Sequence, residues 1–88
     1  MAAESKVVLY GTPYCSYCIA ARTLLSRKGV NFEDILVSND NEMRRELVQR
    51  SGQHTVPQIF INDKPIGGFD ELYELEQDGQ LDALIAQA

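Results

Sequence analysis

Between residues 6 and 37 the chain reads as strand, helix, strand, and no other stretch narrows the possible folds as far. Lys6-Val7-Val8-Leu9-Tyr10 is a short apolar run bounded by Gly11-Thr12-Pro13, the signature of a buried strand ending in a turn. Behind it, Cys18, Ala21 and Leu25 fall at helical spacing on one face. That helix begins near Cys15 or Ser16 and stops at Gly29, with Arg27 and Lys28 in the last turn, where cations suit the carbonyl end. Val30 to Val37 carries a second strand, with Phe32, Ile35 and Leu36 as its core candidates. A connection this short through one helix makes the two strands parallel and the crossover right-handed.

The second half completes a sheet by a different route. Asn39 and Glu42 read as a helix cap and its N3 partner, Met43 and Leu47 as an i, i+4 apolar pair, and Gly52 as the stop. Gln58-Ile59-Phe60-Ile61 is a third strand, Asn62-Asp63 a turn, and Lys64-Pro65-Ile66 the return strand of a hairpin over 58–66. Pro65 has no N–H, which places the fourth strand at an edge. After Gly67-Gly68, Asp70 and Glu71 open a helix with Leu72 and Leu75 inward, ending near Gly79. Leu81, Leu84 and Ile85 mark a short terminal helix. The expected fold class is α/β, in the order β-α-β-α-β-β-α-α. It has a mixed four-stranded sheet flanked by helices on both faces, because runs such as Ile59-Phe60-Ile61 ask for burial on both sides. With 88 residues, the whole of 1–88 is expected to be one domain.

Composition enters as a set of exclusions. A formal charge of −5 argues against nucleic acid as a partner, since phosphate binding rests on clustered Lys and Arg. No apolar run approaches the ~20 residues of a membrane span. Met1-Ala2-Ala3-Glu4-Ser5-Lys6 has no basic segment followed by an apolar stretch, so it is not read as a secretory signal. The expected location is a reducing, cytoplasmic compartment. There, two close cysteines are catalytic or metal-binding rather than a permanent staple.

Those cysteines are Cys15 and Cys18, separated by Ser16-Tyr17 and set between the first strand and its helix. A helix start presents unpaired N–H groups and about half a positive charge, so a thiol there ionises more easily. Cys18 points inward with the core, and Cys15 sits one turn earlier at the mouth. A Cys-x-x-Cys pair in this setting is a redox signal, and the chemistry it suits is thiol–disulfide exchange.

Cys15-Ser16-Tyr17-Cys18, Thr55-Val56-Pro57-Gln58-Ile59-Phe60-Ile61 and Gly67-Gly68-Phe69-Asp70-Glu71-Leu72, in this order and spacing, resemble a glutaredoxin of the dithiol type found in bacteria. The resemblance runs from about Val7 to Leu84. It implies a thioredoxin-like fold and a glutathione-dependent oxidoreductase that reduces protein disulfides and glutathione mixed disulfides. Its partners would be glutathione and disulfide-bonded or glutathionylated proteins. In that reading Cys15 is the nucleophile and Cys18 the resolving thiol, dispensable when a second glutathione attacks instead. The resemblance also implies a cis Val56–Pro57 bond, which would turn the backbone of Val56 towards Cys15 to pair with the cysteinyl unit of glutathione. Thr55 and Gly68 belong to the same groove. The N–H groups of Asp70 and Glu71 would take the γ-glutamyl carboxylate and a side-chain acid the ammonium, with Asp70 alternatively a helix cap only. Tyr17 lines the groove, and Arg44 anchors the glycyl carboxylate. The chain departs from the family's pattern at three places. Glu71 stands where Asp is usual, Phe69 where a smaller residue is usual, and Thr12 at the glutathione-binding position where Lys is common.

Two readings compete with it. Some relatives with Cys-Ser-Tyr-Cys hold a [2Fe-2S] cluster between two monomers, with glutathione completing the thiolate set. Ser16 in place of Pro permits the same here, with Cys15 as ligand in a redox-sensing or cluster-carrying dimer. Otherwise the chain is expected to be a monomer with no metal. Structural zinc needs four ligands, and Cys15, Cys18 and the lone His54 fall short.

Overall fold

The computed structural model describes residues 6–37, 41–53 and 55–86. Its elements follow the expected order: β1 (Val7–Gly11), α1 (Ser16–Arg27), β2 (Phe32–Leu36), α2 (Asn41–Ser51), β3 (Gln58–Ile61), β4 (Lys64–Gly67), α3 (Phe69–Gln77) and α4 (Gln80–Ala86). The strands form one sheet in the order β2-β1-β3-β4. β1 runs parallel to β2 through Val7 opposite Phe32, and antiparallel to β3 through Leu9 opposite Ile59. β3 and β4 close the antiparallel hairpin, which leaves Pro65 on an edge strand where its missing N–H costs nothing. Asn62 and Asp63 both take positive φ (52° and 67°), the geometry of a tight two-residue hairpin turn. Asn39, expected as a helix cap, and His54 lie outside the described residues.

The sheet's two faces carry two separate apolar clusters, as strand alternation requires. Val7, Leu9, Ile59 and Ile61 project to the side where α1 supplies Ala21 and Leu25, α3 supplies Leu72 and α4 supplies Leu81. Phe60 projects to the opposite side and packs with Leu47 of α2 and with Val37. On that side Arg50 lies over the Phe60 ring at 4.4 Å and donates to the Tyr10 hydroxyl at 3.0 Å, roofing the smaller cluster with a cation. At the far end of α1, Lys28 pairs with Glu76 at 2.8 Å and Asp82 at 2.7 Å, tying the last turn of α1 to α3 and α4. Among the described residues no helix is long and apolar enough to cross a membrane.

Strand boundaries differ from the sequence reading: β2 is Phe32–Leu36 rather than 30–37, and β4 runs on to Gly67. β1 starts at Val7, with Lys6 exposed, and ends at Gly11, which is buried and pairs with Leu36. The second correction concerns the core of β2. Leu36, expected inside, is 55% exposed, and Phe32 and Ile35 are only half-buried. β2 is an edge strand, so only part of each face is covered. The buried residue is Val37, just past the strand, whose N–H donates to the Gly11 carbonyl at 3.0 Å while its side chain turns under the sheet against Phe60.

This correction has a thermodynamic consequence. Val37→Ala is expected to lower the free energy of unfolding by about 1.5–3 kcal/mol, the value of a fully buried valine, and Leu36→Ala to change it by no more than about 0.5 kcal/mol. Equilibrium denaturation in urea checks both, and a larger loss at Leu36 than at Val37 would contradict the assignment.

Candidate active site

The parallel pairing of β1 and β2 sends both strands to the same edge of the sheet, and the catalytic candidates leave from that edge. Cys15 is the N-cap of α1, with extended backbone angles (φ −81°, ψ 124°), and its carbonyl accepts the first helical bond from Ile19 N–H at 3.0 Å. The helix carries no acidic residue in its first turn. Its positive end therefore faces the thiol without a competing anion on its own first turn.

The two thiols are driven apart. Cys15 makes no capping hydrogen bond, yet the backbone N–H of Cys18 favours its anion and is the largest influence lowering its pKa. Partial burial opposes the shift; the Cys18 side chain, the Tyr17 N–H and the Arg22 charge reinforce it. Cys18 is fully buried, and burial pushes its thiol up, with the neighbouring Cys15 adding to the rise. The Thr12 N–H, 3.5 Å from Cys18 Sγ, offsets part of it. The surroundings favour ionisation of Cys15 and oppose that of the buried Cys18.

Opposite Cys15 lies the loop before β3. The Val56–Pro57 peptide is cis, and the Val56 carbonyl is 3.9 Å from Cys15 Sγ, a long sulfur contact that puts the Val56 backbone across from that thiol. Gln58, fully buried, holds this loop from behind: its Nε2 donates to the Thr55 carbonyl at 2.8 Å, to Thr55 Oγ1 at 3.2 Å and to Gln53 Oε1 at 3.1 Å. The third wall is the start of α3, where Gly68 is the N-cap. Glu71 bends back so that its Oε2 accepts the Gly68 N–H at 3.0 Å. Gly67 takes φ +118°, and a Cβ there would meet the Glu71 side chain at 2.9 Å, so only glycine fits beneath that bend.

Together these walls enclose a cleft of about 290 Å³. Of the expected binding residues it brings together Tyr17, Thr55, Val56, Pro57, Gly68, Asp70 and Glu71. Tyr17 stacks loosely on Phe69, with ring centroids 6.3 Å apart, and Phe69 on Tyr73 at 5.8 Å, so Phe69 lines the cleft as part of an aromatic rim. Two expected residues lie off the lining. Thr12 serves the site through its backbone, as donor to Cys18 and as acceptor from Arg22 Nη1 at 3.1 Å. Arg44 donates through Nε to the Val37 carbonyl at 3.1 Å and faces a separate hollow along α2. Val37 follows the C-terminal end of β2, so Arg44 stands at the functional edge of the sheet without touching the cleft.

The sequence reading missed Gln53, Gln58 and Arg22. Gln58 left a signal, a polar residue opening a four-residue strand whose other members are apolar and whose whole length is buried. Arg22 left one also: it falls one turn after Cys18, on the face that otherwise carries Cys18, Ala21 and Leu25. Gln53 had none, since nothing local distinguishes a glutamine in that loop.

Among known proteins, the glutaredoxin family model matches residues 7–66. A glutaredoxin of Pseudomonas aeruginosa is 49% identical over 80 residues, covering 91% of this chain and 95% of that protein. Glutaredoxin 3 of Escherichia coli K12 is 44% identical over 81 residues, covering 92% and 98%. The buckwheat glutaredoxin–glutathione complex superposes with a TM-score of 0.85 at 31% identity, over 96% of this chain and 83% of the other. A Brucella melitensis glutaredoxin in solution gives 0.84 at 46% identity, over 94% and 90%. The fold is thioredoxin-like.

The opposed shifts predict which thiol reacts first. Because the Cys15 pKa is lowered, its thiolate persists to lower pH than the ~8.5 of an ordinary cysteine and is lost only as pH falls through the lowered value. With iodoacetamide at about pH 7, mass spectrometry is expected to find the label on Cys15 well before Cys18, with an apparent pKa below ~8.5. Earlier labelling of Cys18 would overturn the division.

Proposed function

The chain belongs to the glutaredoxin family of thiol–disulfide oxidoreductases, and from that premise we propose that glutathione is its reductant. Its substrates are then glutathione mixed disulfides and protein disulfides, turned over in a reducing, glutathione-containing compartment such as the cytoplasm. The observation that carries the proposal is the placement of Cys15 at a helix start, opposite the carbonyl of Val56, which itself lines the cleft.

The Cys15 thiolate attacks the glutathione sulfur of a mixed disulfide. A bond forms between Cys15 and glutathione, the bond to the substrate breaks, and the substrate thiolate leaves and takes a proton. Ionisation contributes less to attack than to departure. Lowering a thiol's pKa by ~2 units raises its ionised share at neutral pH by more than tenfold, but reduces its intrinsic nucleophilicity by about tenfold, leaving a gain of roughly threefold. The same low pKa makes Cys15 a good leaving group when a second glutathione, or Cys18, attacks it.

For recognition, the Val56 N–H and carbonyl pair with the cysteinyl unit as an added strand would. The first N–H groups of α3, at Asp70 and Glu71, receive the γ-glutamyl carboxylate. The Glu71 carboxylate is engaged with Gly68, so the exposed Asp70 carboxylate takes the ammonium. Tyr17 and Thr55 flank the peptide, and Arg44 and Thr12, at the same edge of the sheet, stand nearest to the glycyl end. Thiol exchange is preferred to a cluster-bridged dimer because the opposed shifts of Cys15 and Cys18 serve a nucleophile and a resolving thiol. A cluster ligated by Cys15 alone makes no use of them.

Reduction of a glutathione mixed disulfide, coupled to glutathione reductase, tests the reading. Cys15→Ser is expected to abolish turnover. Cys18→Ser is expected to keep it within roughly threefold of the parent while losing the reduction of protein disulfides. Turnover that survives in Cys15→Ser would refute the nucleophile, and turnover with any thiol in place of glutathione would refute the choice of reductant.

A further inference from the structure

Among the described residues two buried side-chain atoms lack a hydrogen-bond partner, Gln58 Oε1 and Arg22 Nη2, and the second belongs to a charged group. The guanidinium of Arg22 donates through Nε to Asp34 Oδ2 at 2.8 Å and through Nη1 to the Thr12 carbonyl at 3.1 Å, but its Nη2 is buried and has no hydrogen-bond partner. A buried cationic donor without an acceptor is costly, and native structures rarely keep one that has no use. Its surroundings show what it faces. A Cβ placed on Gly11 would lie 3.3 Å from Arg22 Nη2 and 2.8 Å from Cys18 Sγ, so both atoms close on the same bare position at the end of β1. Cys18 and Arg22 are also one turn apart on one face of α1.

We propose that Arg22 is a positioning residue for the resolving step, its inward Nη2 stabilising the Cys18 thiolate that forms when a mixed disulfide on Cys15 is resolved. The reading rests on Cys15 as nucleophile, not on the identity of the reductant. In this step the Cys18 thiol loses its proton to water and its Sγ attacks Cys15 Sγ. The Cys15–Cys18 bond forms, the bond from Cys15 to the carried thiol breaks, and that thiol leaves as a thiolate. Cys18 is oxidised by one electron equivalent and the carried sulfur reduced by one, so that over both steps the cysteine pair gives up two electrons. Burial makes Cys18 a poor acid, whereas a cation held near a thiolate favours its charged form. The groups around Cys18 are few. From α1 come Cys15 and Arg22. From β1 and its loop come Gly11 and the Thr12 backbone, with no titratable side chain. From β2 comes Asp34, held on the far side of the guanidinium. The bond to Asp34 and the bond to the Thr12 carbonyl fix the plane of the fork, and the third nitrogen is left for the sulfur.

The test uses an aromatic disulfide, dithiobis(nitrobenzoate), which releases one coloured thiolate when Cys15 attacks and a second when Cys18 resolves, whatever reductant the protein prefers. In Arg22→Gln the second phase is expected to slow by roughly threefold to tenfold at about pH 7, and its pH midpoint to rise by about one to two units, with a smaller change in the first phase. Arg22→Lys, which keeps the charge, is expected to recover most of the second phase and of the midpoint. Equal slowing of both phases, an unmoved midpoint in Arg22→Gln, or a lysine variant as slow as the glutamine variant would each overturn the proposal. Loss of colour release in Cys15→Ser checks the nucleophile separately, and a failure of glutathione to serve as reductant would leave both phases intact.

Discussion

The N-terminus of α1 is useful to a thiol only because the rest of the helix cannot move. Cys18, Ala21 and Leu25 are packed to zero exposure against the sheet, and Lys28 is clamped to Glu76 and Asp82 at the other end. A helix free to fray would lose the alignment of its first N–H groups and with it the field on Cys15. The apolar face of α1 is therefore part of the reaction as much as of the core. Gly11 belongs to the same constraint. Its missing side chain lets Cys18 sink against the end of β1, and the depth of that burial separates the two thiols in acidity.

The opposite wall is fixed by a different means. Gln53 and the stretch from Thr55 to Pro57 carry no regular secondary structure, so their backbone groups need partners from elsewhere. Gln58 supplies them from within β3, spending both protons of its amide on the loop that precedes it. A buried glutamine at the start of an apolar strand is expensive, and here its Nε2 is paired while Oε1 has no partner; the same pairing holds the loop that sets the Val56 backbone opposite Cys15. One side of the cleft is positioned by hydrophobic packing and the other by a polar side chain acting as a strut.

Much of this was legible in the sequence, and the parts that were not share a cause. Periodicity placed all eight elements, because the apolar run of β3 and the Cys18, Ala21, Leu25 spacing in α1 are local facts. It failed at Leu36 and Val37, because which residue of an edge strand is buried depends on where the sheet stops, and that is settled by the distant pairing of β1 with β3. The motifs around Cys15, Pro57 and Gly68 converge on one cleft in the structure as their order implied. Arg44 did not join them: its Nε is bonded to the Val37 carbonyl, and no local pattern reveals which carbonyl a long side chain will reach. Arg22 and Gln58 were visible as polar residues on buried faces, a signal whose meaning comes only from the partners that the fold brings to them.

Two helix starts meet at the cleft, and neither is closed in the usual way. Ser, Thr, Asp or Asn at an N-cap would accept the N–H of the second or third helical residue and so consume it. Cys15 and Gly68 occupy those positions instead, and neither makes a side-chain cap bond. At α1 the amides of Tyr17 and Cys18 are thereby kept for the Cys15 anion. At α3 glycine has no side chain to offer, and the longer reach of Glu71 over Asp lets it satisfy the Gly68 N–H outside the helix while the amides inside the first turn stay directed at the cleft. Glu71 thus both lines the cleft and caps Gly68, and Asp70 stays exposed beside it.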